Sequence, residues 1–239
     1  MNAPRERVVD RPRTNAELRE EATGRMLSTA IRLIAQKGAS RLSLVDVGRE
    51  SGYSHSLPNY YFKTKKHLLL EVYAFIVGSF RIRSRAWIKE HMPQPIRPGI
   101  GNLEASVRGY LALATTDDTR SRAMHALWSE SLSSMPELLE EVGPSNRRNL
   151  AMFEQQIRAG IQRGEIDPEV DVEALAVLVM GVLRGAVWQK LVDPGRVDLD
   201  RVSDTVVCLL RNGLIPASPA PSPSTSPSSS ESSEEREPR

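Results

Sequence analysis

A short run of residues near the start of the chain has the types and spacing needed to read DNA. Ser43 is a good helix N-cap, and Asp46 places a carboxylate in the first turn, where unpaired backbone N–H groups and the helix dipole favour negative charge. Gly48 lets a second helix cross closely, and Gly52 permits the positive φ of a tight turn. Ser54 can cap the next helix. This spacing predicts a helix-turn-helix, whose second helix enters the major groove.

The charge distribution supports a DNA-binding role for this part of the chain. Residues 1–66 contain 13 Lys and Arg and 7 Asp and Glu, a net charge of +6, whereas residues 67–214 and 215–239 each carry a net charge of −2. Concentrated positive charge is expected of a surface that displaces counterions from phosphates. The alternative interpretation of the glycine spacing is an ordinary helical hairpin in an all-α core, and the charge makes that less favourable.

Two further motifs flank the predicted helix-turn-helix. Before it lies an amphipathic helical pattern that ends in a basic turn and a glycine: Met26, Leu27, Ala30, Ile31, Leu33, Ile34, Lys37 and Gly38. After it comes an aromatic run followed by Phe-x-x-Lys, over residues 60–65. With these motifs, residues 25–72 resemble the N-terminal domain of the TetR family of bacterial transcriptional regulators.

The resemblance implies roles for the residues of the segment 43–65, which we call the reading head. Phe62 would pack in the core, Thr64 would cap the fourth helix, and Lys65 would meet a DNA phosphate. Tyr60 and Tyr61 would flank the DNA backbone, and His55, Ser56 and Asn59 would lie nearest to base edges. The predicted DNA-binding residues are Ser43, Ser54, His55, Ser56, Asn59, Tyr60, Tyr61 and Lys65. For His55 the alternative is a solvated side chain or a phosphate contact.

The recognition helix departs from the family's common pattern at three positions. Ser56 stands where a glycine is frequent, Pro58 where an aliphatic residue is, and Asn59 where a tyrosine is. If Ser54 is the N-cap, Pro58 deletes the first hydrogen bond inside the helix and pushes Leu57 away from helical geometry. The sequence therefore leaves two alternatives, a helix that starts late or a distorted first turn.

The rest of the chain predicts an all-α fold with a second, helical domain, because no alternating strand pattern is sustained. Helices are expected near residues 65–90, 102–114, 119–133, 136–141, 146–163 and 198–212. The predicted organisation is a flexible basic arm over 1–22, a DNA-binding domain over 23–66, an effector-binding and dimerisation domain over 67–214, and a disordered tail over 215–239.

The two ends of the chain are too polar to fold alone. The first 25 residues carry six arginines, including Arg19 and Arg25, and those of the arm would follow the minor groove or simply remain solvated. The tail holds 9 Ser and 6 Pro in its 25 residues. Neither end contains an apolar segment typical of a secretory signal.

An apolar segment near the C-terminus predicts a subunit interface. Residues 174–183 are apolar on every face but are about half as long as a membrane span, so protein must cover them on all sides. A partner subunit is the economical covering, and the last helix offers Val202, Val206 and Leu209 beside it. The surroundings of Trp188 resemble, loosely, the C-terminal domain of the betaine-responsive subgroup. A two-fold dimer must read a palindromic operator.

The family resemblance further implies an unidentified small-molecule effector that binds among the C-terminal helices and weakens operator binding. Large apolar and aromatic residues are candidates for this pocket, although ordinary core packing is the alternative for each. Aromatic faces suit a quaternary ammonium, whereas a hydrophobic effector needs no such cage. The candidates are Trp87, Tyr110, Met124, His125, Trp128, Met152, Phe153, Met180 and Trp188.

Other classes of function find little support in the sequence. No phosphate-binding glycine loop, nucleophile elbow or paired His or Cys motif is present, so we expect no catalytic residues, no metal and no cofactor. The lone Cys208 is expected in the core, and its lack of a partner indicates the reducing cytoplasm of a bacterium. The expected function is a repressor released from DNA by a small molecule. The alternatives are a nonspecific architectural DNA-binding protein and, less favoured, a helical enzyme.

Overall fold

The computed structural model describes residues 14–214, and this part of the chain consists of helices joined by loops, with no strand. A 3₁₀ turn over Pro136–Leu138 separates α6 from α7. The helices are α1 Asn15–Lys37, α2 Leu44–Ser51, α3 Leu57–Phe62, α4 Lys65–His91, α5 Ile100–Thr115, α6 Asp118–Ser131, α7 Leu139–Gln162, α8 Val172–Val192 and α9 Leu199–Leu214.

The first helix begins earlier than the sequence analysis expected. Thr14 and Glu17 form a capping box: the Thr14 hydroxyl accepts from the Glu17 backbone N–H at 3.3 Å, and the Glu17 carboxylate accepts from the Thr14 backbone N–H at 2.6 Å. This pairing satisfies two of the unpaired donors at a helix start. Residues 15–22, which were assigned to the arm, are therefore helical. The remainder of the predicted arm and the predicted tail lie outside the described residues.

One hydrophobic core unites the first four helices with α6. Its fully buried members include Met26 and Ile34 of α1, Leu68 of α4 and Leu127 of α6. Helix α1 packs along α6, so the residues preceding and following position 66 share a core. A displacement of α6 therefore cannot leave the N-terminal helices unaffected, since close-packed interiors transmit strain.

A second core joins α5, α7, α8 and α9. Leu103, Phe153, Ile157, Leu183 and Leu210 lie within it, and all are almost fully buried. Helix α5 packs along α9, and α7 packs along α8. This core holds α8 in place on one side.

Two expectations about the C-terminal helices are wrong. Residues 139–162 form one continuous helix that contains Pro144, where two helices were expected. Pro144 stands in the second turn, and burial of the same helix through Phe153 and Ile157 outweighs the loss of one backbone hydrogen bond. Cys208 is exposed rather than in the core, because it lies on the outward side of α9 while its neighbour Val207 faces inward.

Candidate functional site

The turn between α2 and α3 has the geometry that its glycines predict. Ser43 caps α2, since its hydroxyl accepts from the Asp46 backbone N–H at 3.1 Å. Gly52 ends the helix with φ of 78°. A Cβ atom on Gly48 would lie 2.8 Å from the carbonyl oxygen of Ser54, so only glycine allows the two segments to pass this closely.

Asp46 fixes α2 against α1. Its carboxylate accepts from Lys37 Nζ at 2.7 Å and from an Arg49 guanidinium nitrogen at 2.9 Å. The hydrogen bond from Lys37, followed by the bond involving Ser43, lowers the pKa of Asp46 below its usual value. The carboxylate therefore stays charged near neutral pH and orients the reading head on the first helix.

Helix α3 takes the first of the two alternatives that the sequence left open, a late start. It begins at Leu57, with Ser56 rather than Ser54 at the N-cap position, and the Ser56 side chain makes no capping hydrogen bond. Pro58 falls at the second helical position and is buried. There its missing N–H costs nothing, because the first four N–H groups of a helix have no partner within the helix.

The start of α3 presents a polar, exposed face. His55, Ser56, Asn59 and Tyr60 are all exposed, and 74% of the Tyr60 surface is accessible. Ser54 is also exposed, with its hydroxyl 3.2 Å from that of Ser56. Hydroxyl, amide and imidazole groups in this position can hydrogen-bond base edges or phosphates.

Tyr61 is half-buried beside this face rather than on it. Its ring meets the Tyr60 ring edge to face, with centroids 5.3 Å apart, and the Arg19 guanidinium carbon lies 5.5 Å from its centroid. Similarly, the Arg25 guanidinium carbon lies 5.6 Å from the centroid of Tyr53. Both arginines belong to α1 rather than to an extended arm, so they hold positive charge over the aromatic residues of the reading head.

The end of α3 and the start of α4 agree with the family resemblance. Phe62 is buried in the first core, and the Thr64 hydroxyl accepts from the His67 backbone N–H at 3.1 Å, which caps α4. Lys65 Nζ donates to the backbone carbonyl of Ser40, in the loop before α2. An ammonium has three donors, so this contact leaves Lys65 capacity for a phosphate.

Two basic residues near the reading head were missed by the sequence analysis. Lys63 is exposed at the end of α3, with φ of 60°, a conformation uncommon for a residue other than glycine. Arg41 is exposed in the loop before α2. The backbone conformation of Lys63 has no sequence signal, whereas the position of Arg41 beside the Ser43 cap was readable.

A cavity of about 390 Å³ lies between α4, α5, α6, α7 and α8. Seven of the nine residues proposed for an effector pocket line it: Tyr110, Met124, His125, Trp128, Met152, Phe153 and Met180. Ligand sites of about 300–1,000 Å³ with mostly apolar walls are usual in proteins. The cavity therefore has the size and lining of a small-molecule site.

The other two proposed pocket residues are not part of the cavity wall. The Trp87 ring stacks on that of His91, with centroids 4.7 Å apart. Trp188 lies on the outer side of α8 and is half-exposed. Their aromatic character gave no indication of which helix face they would occupy.

Arg184 is the distinctive polar group of the cavity wall. Its guanidinium carbon lies 4.4 Å from the centroid of the Trp128 ring. Nearby, burial raises the pKa of Tyr110 to about 12, although the positive charge of Arg184 and a hydrogen bond from its guanidinium to the phenol oxygen oppose that rise. The Tyr110 phenol is consequently neutral at physiological pH and keeps its O–H proton available for donation.

Helix α6 joins the cavity to the reading head. It supplies Met124 and Trp128 to the cavity wall, and at its end Glu130 reaches the loop between α1 and α2. The Glu130 carboxylate accepts from the backbone N–H groups of Ala39, at 2.7 Å, and Ser40. The same loop residue, Ser40, binds Lys65 through its carbonyl.

The outer face of α8 is apolar and uncovered in a single chain. Val177, Leu178, Val182 and Val192 are exposed there, and Leu209 of α9 is exposed as well. Among the helices in the described part of the chain, only α8 is long and apolar enough to cross a membrane. In its most apolar stretch, 28% of the residues are buried within the single chain. An apolar face of this kind requires a partner surface.

Within residues 14–214, no group of three or more His, Cys, Asp or Glu side chains is arranged to hold a metal ion. The candidate functional surfaces of the described chain are the exposed face of α3, the cavity and the outer face of α8.

Comparisons with known proteins match both the N-terminal and the C-terminal helices. A family model described as "Bacterial regulatory proteins, tetR family" matches residues 26–72, and one described as "BetI-type transcriptional repressor, C-terminal" matches residues 100–214. The chain is 22% identical over 189 residues to the fatty acid metabolism regulator protein of Bacillus subtilis, which covers 79% of this chain and 93% of the relative.

Solved structures share the fold. A regulator from Saccharomonospora viridis in complex with choline has a TM-score of 0.70 and 23% identity, covering 83% of this chain and all of that one. The regulator FadR from Bacillus subtilis in complex with stearoyl-CoA has a TM-score of 0.66 and 21% identity, and the match covers 80% of this chain and 98% of that one. The chain belongs to the TetR family of bacterial transcriptional regulators.

Proposed function

We propose that two copies of this chain bind a palindromic operator through the exposed face of α3 and release it when a small molecule enters the cavity. The observation that carries this proposal is the polar face formed by His55, Ser56, Asn59 and Tyr60, held outward by the close crossing at Gly48. The protein acts in the bacterial cytoplasm, where the operator is.

Within the reading head we assign two kinds of contact. Asn59 on the first turn of α3, and His55 and Ser56 just before that helix, contact base edges, because all three are exposed at the start of the helix that enters the groove. Lys65, Tyr60 and Tyr61 contact the sugar-phosphate backbone, with Ser43 and Ser54 beside them. Backbone contacts set register and affinity, whereas base contacts select sequence.

The partner on the outer face of α8 is a second copy of the chain. Gly181 and Gly185 lie one turn apart on this helix, and a Cβ atom at either would meet nothing within 4 Å in the single chain. Small residues beside the exposed Val177, Leu178 and Val182 allow a partner helix to approach closely. In this proposal a two-fold axis at α8 relates the two α3 helices, so that they read the two half-sites of one operator.

In this proposal, α6 transmits ligand binding in the cavity to the reading head. A ligand that binds one arrangement of the cavity walls better than another shifts the population toward that arrangement. Helix α6 lines the cavity and also holds the loop before α2 through Glu130, so a shift of α6 moves the reading head.

The test combines selection of binding sites from random duplex with sedimentation of the protein alone. We expect a palindromic consensus with half-sites about one helical turn apart, and a dimer at micromolar concentration. Equal affinity for the selected site and random duplex would contradict the proposal and favour an architectural protein.

A further inference from the structure

The cavity carries more positive charge than its own carboxylates neutralise. Six arginines line it, at positions 81, 83, 85, 120, 148 and 184, against one carboxylate, that of Asp117. Asp117 is already paired with Arg83 at 3.7 Å and with Arg120 at 3.3 Å. Arg148 is paired with Glu141 at 3.1 Å. Arg81, Arg85 and Arg184 have no ion pair among the described residues. Arg81 and Arg85 are exposed to solvent, whereas Arg184 is partly buried, so its charge is left for something else to balance.

Two buried hydrogen-bond donors meet at this charge. Arg184 Nε and Trp128 Nε1 are both buried, and neither has a hydrogen-bond partner in the part of the chain that the structure describes. The Arg184 guanidinium stacks on the Trp128 ring, so the two donors belong to one local cluster. Buried donors without acceptors are costly, which means that an acceptor from outside the chain would be strongly favoured here.

The surroundings of this cluster are apolar on one side and donor-rich on the other. Met124, Phe153 and Met180 line the same cavity and can hold a hydrocarbon part. The neutral phenol of Tyr110 beside Arg184 adds an O–H donor. A ligand that satisfies both sides has a compact anionic group attached to an apolar body.

A cationic ligand fits this arrangement poorly. The Trp128 face that would attract an ammonium by cation–π contact is already covered by Arg184. A second positive charge there would also be repelled by the unpaired guanidinium. The choline-binding neighbour therefore does not predict the ligand of this chain, despite its similar fold.

From this cluster we infer that the cavity binds an amphipathic carboxylate, with its anionic group on Arg184 and Trp128 and its hydrocarbon part among Met124, Phe153 and Met180. The inference rests on the proposed ligand-responsive function and names the chemical class of the effector. A carboxylate presents two acceptor oxygens, which match the fork of donors on a guanidinium.

The direct test is calorimetric titration of the full chain with octanoate, octanamide and choline. We expect octanoate to bind at least about tenfold more tightly than octanamide, because a charge-assisted hydrogen bond to a buried guanidinium is lost with the carboxylate. Hexanoate should bind about fifteenfold more weakly than octanoate, or about fourfold per methylene removed. Choline should not bind.

Matched variants separate the proposed contact from general positive charge. R184M should remove the preference for octanoate over octanamide, whereas R148M, which removes a charge that Glu141 already pairs, should preserve it. W128F keeps an aromatic ring but lacks the N–H donor, so it should weaken octanoate binding more than octanamide binding, because the lost hydrogen bond to the carboxylate is charge-assisted. W128F also serves as the decisive variant if R184M does not fold.

Each outcome decides one claim. Octanamide or choline binding as tightly as octanoate would overturn the inference, as would unchanged selectivity in folded R184M or W128F. Octanoyl-coenzyme A binding far more tightly than octanoate would reassign the anionic group from a carboxylate to phosphates. Octanoate that binds selectively but leaves operator affinity unchanged would support the ligand class while contradicting the ligand response of the proposed function.

Discussion

At the scale of single residues, the reading head divides its work between side chains that position DNA and side chains that read it. We expect Lys65→Ala to weaken binding to the selected operator and to random duplex by the same factor, because a phosphate contact carries no sequence information. The slope of log affinity against log salt concentration should become less steep by the contribution of about one phosphate contact. Asn59→Ala should instead cost about 1–3 kcal/mol on the selected operator alone.

The neighbouring Lys66 provides the control for this pair. Its ammonium lies 2.9 Å from the Glu140 carboxylate, so Lys66→Ala removes a charge that is already paired. Fluorescence anisotropy against both duplexes at several salt concentrations measures all three variants. A Lys65→Ala protein with altered sequence preference and normal affinity for random duplex would show that Lys65 reads bases.

A second residue-scale prediction concerns the crossing at Gly48. Gly48→Ala should lower the free energy of unfolding by about 1–3 kcal/mol, because its Cβ would press on the Ser54 carbonyl oxygen and the backbone must shift. Gly24→Ala is the matched control: it lies within α1 with nothing within 4 Å of the added atom, so it should stabilise by up to about 1 kcal/mol. Urea unfolding measures both, and equal effects would argue against the close crossing.

At the scale of helices, most of the fold was readable from the sequence, and the exceptions share a cause. The turn at Gly52, the caps at Ser43 and Thr64 and the bounds of α4 follow from local chemistry. The continuation of α7 through Pro144 and the outward position of Cys208 depend on which helix faces are buried, and only tertiary packing decides that. The early start of α1 was signalled by Thr14 and Glu17 and was overlooked.

The candidate site likewise has one part that local sequence motifs determine and one part that tertiary packing determines. The exposed start of α3 follows from a local motif, so sequence spacing found it. The cavity draws its walls from five helices, so spacing identified aromatic residues there but could not separate Trp128, which lines it, from Trp188, which faces outward. The unpaired charge of Arg184 emerges only when those helices are packed, and it had no sequence signal.

The helix-scale prediction tests α6 as the connection between cavity and reading head. Glu130→Ala removes the acceptor for the Ala39 and Ser40 backbone N–H groups, so amide exchange at these two positions should accelerate and stability should fall by about 1–3 kcal/mol. Operator affinity should fall as well, because the loop before α2 loses its anchor. Glu137→Ala, on the 3₁₀ turn after α6, is the control and should leave exchange at Ala39 and Ser40 unchanged.

At the scale of the whole molecule, DNA binding and association are one property. An operator with two half-sites is held by two α3 helices, so a monomer loses the second contact and the avidity it provides. The uncovered apolar face of α8, with Gly181 and Gly185 open to an approaching helix, is where the two copies are proposed to meet. A substitution on this apolar face of α8 should therefore weaken operator binding without removing a DNA contact.

We expect Leu178→Glu to give a folded monomer that binds the operator weakly. Leu178 is 63% exposed in the single chain, so the change should leave the fold of each subunit intact. In the dimer it would bury unpaired charges, which costs at least about 3 kcal/mol and raises the dissociation constant more than about 100-fold. Sedimentation and operator titration on the same samples measure both effects. Leu132→Glu, at an exposed leucine just after α6, is the control and should remain dimeric; a dimeric Leu178→Glu protein would place the interface elsewhere.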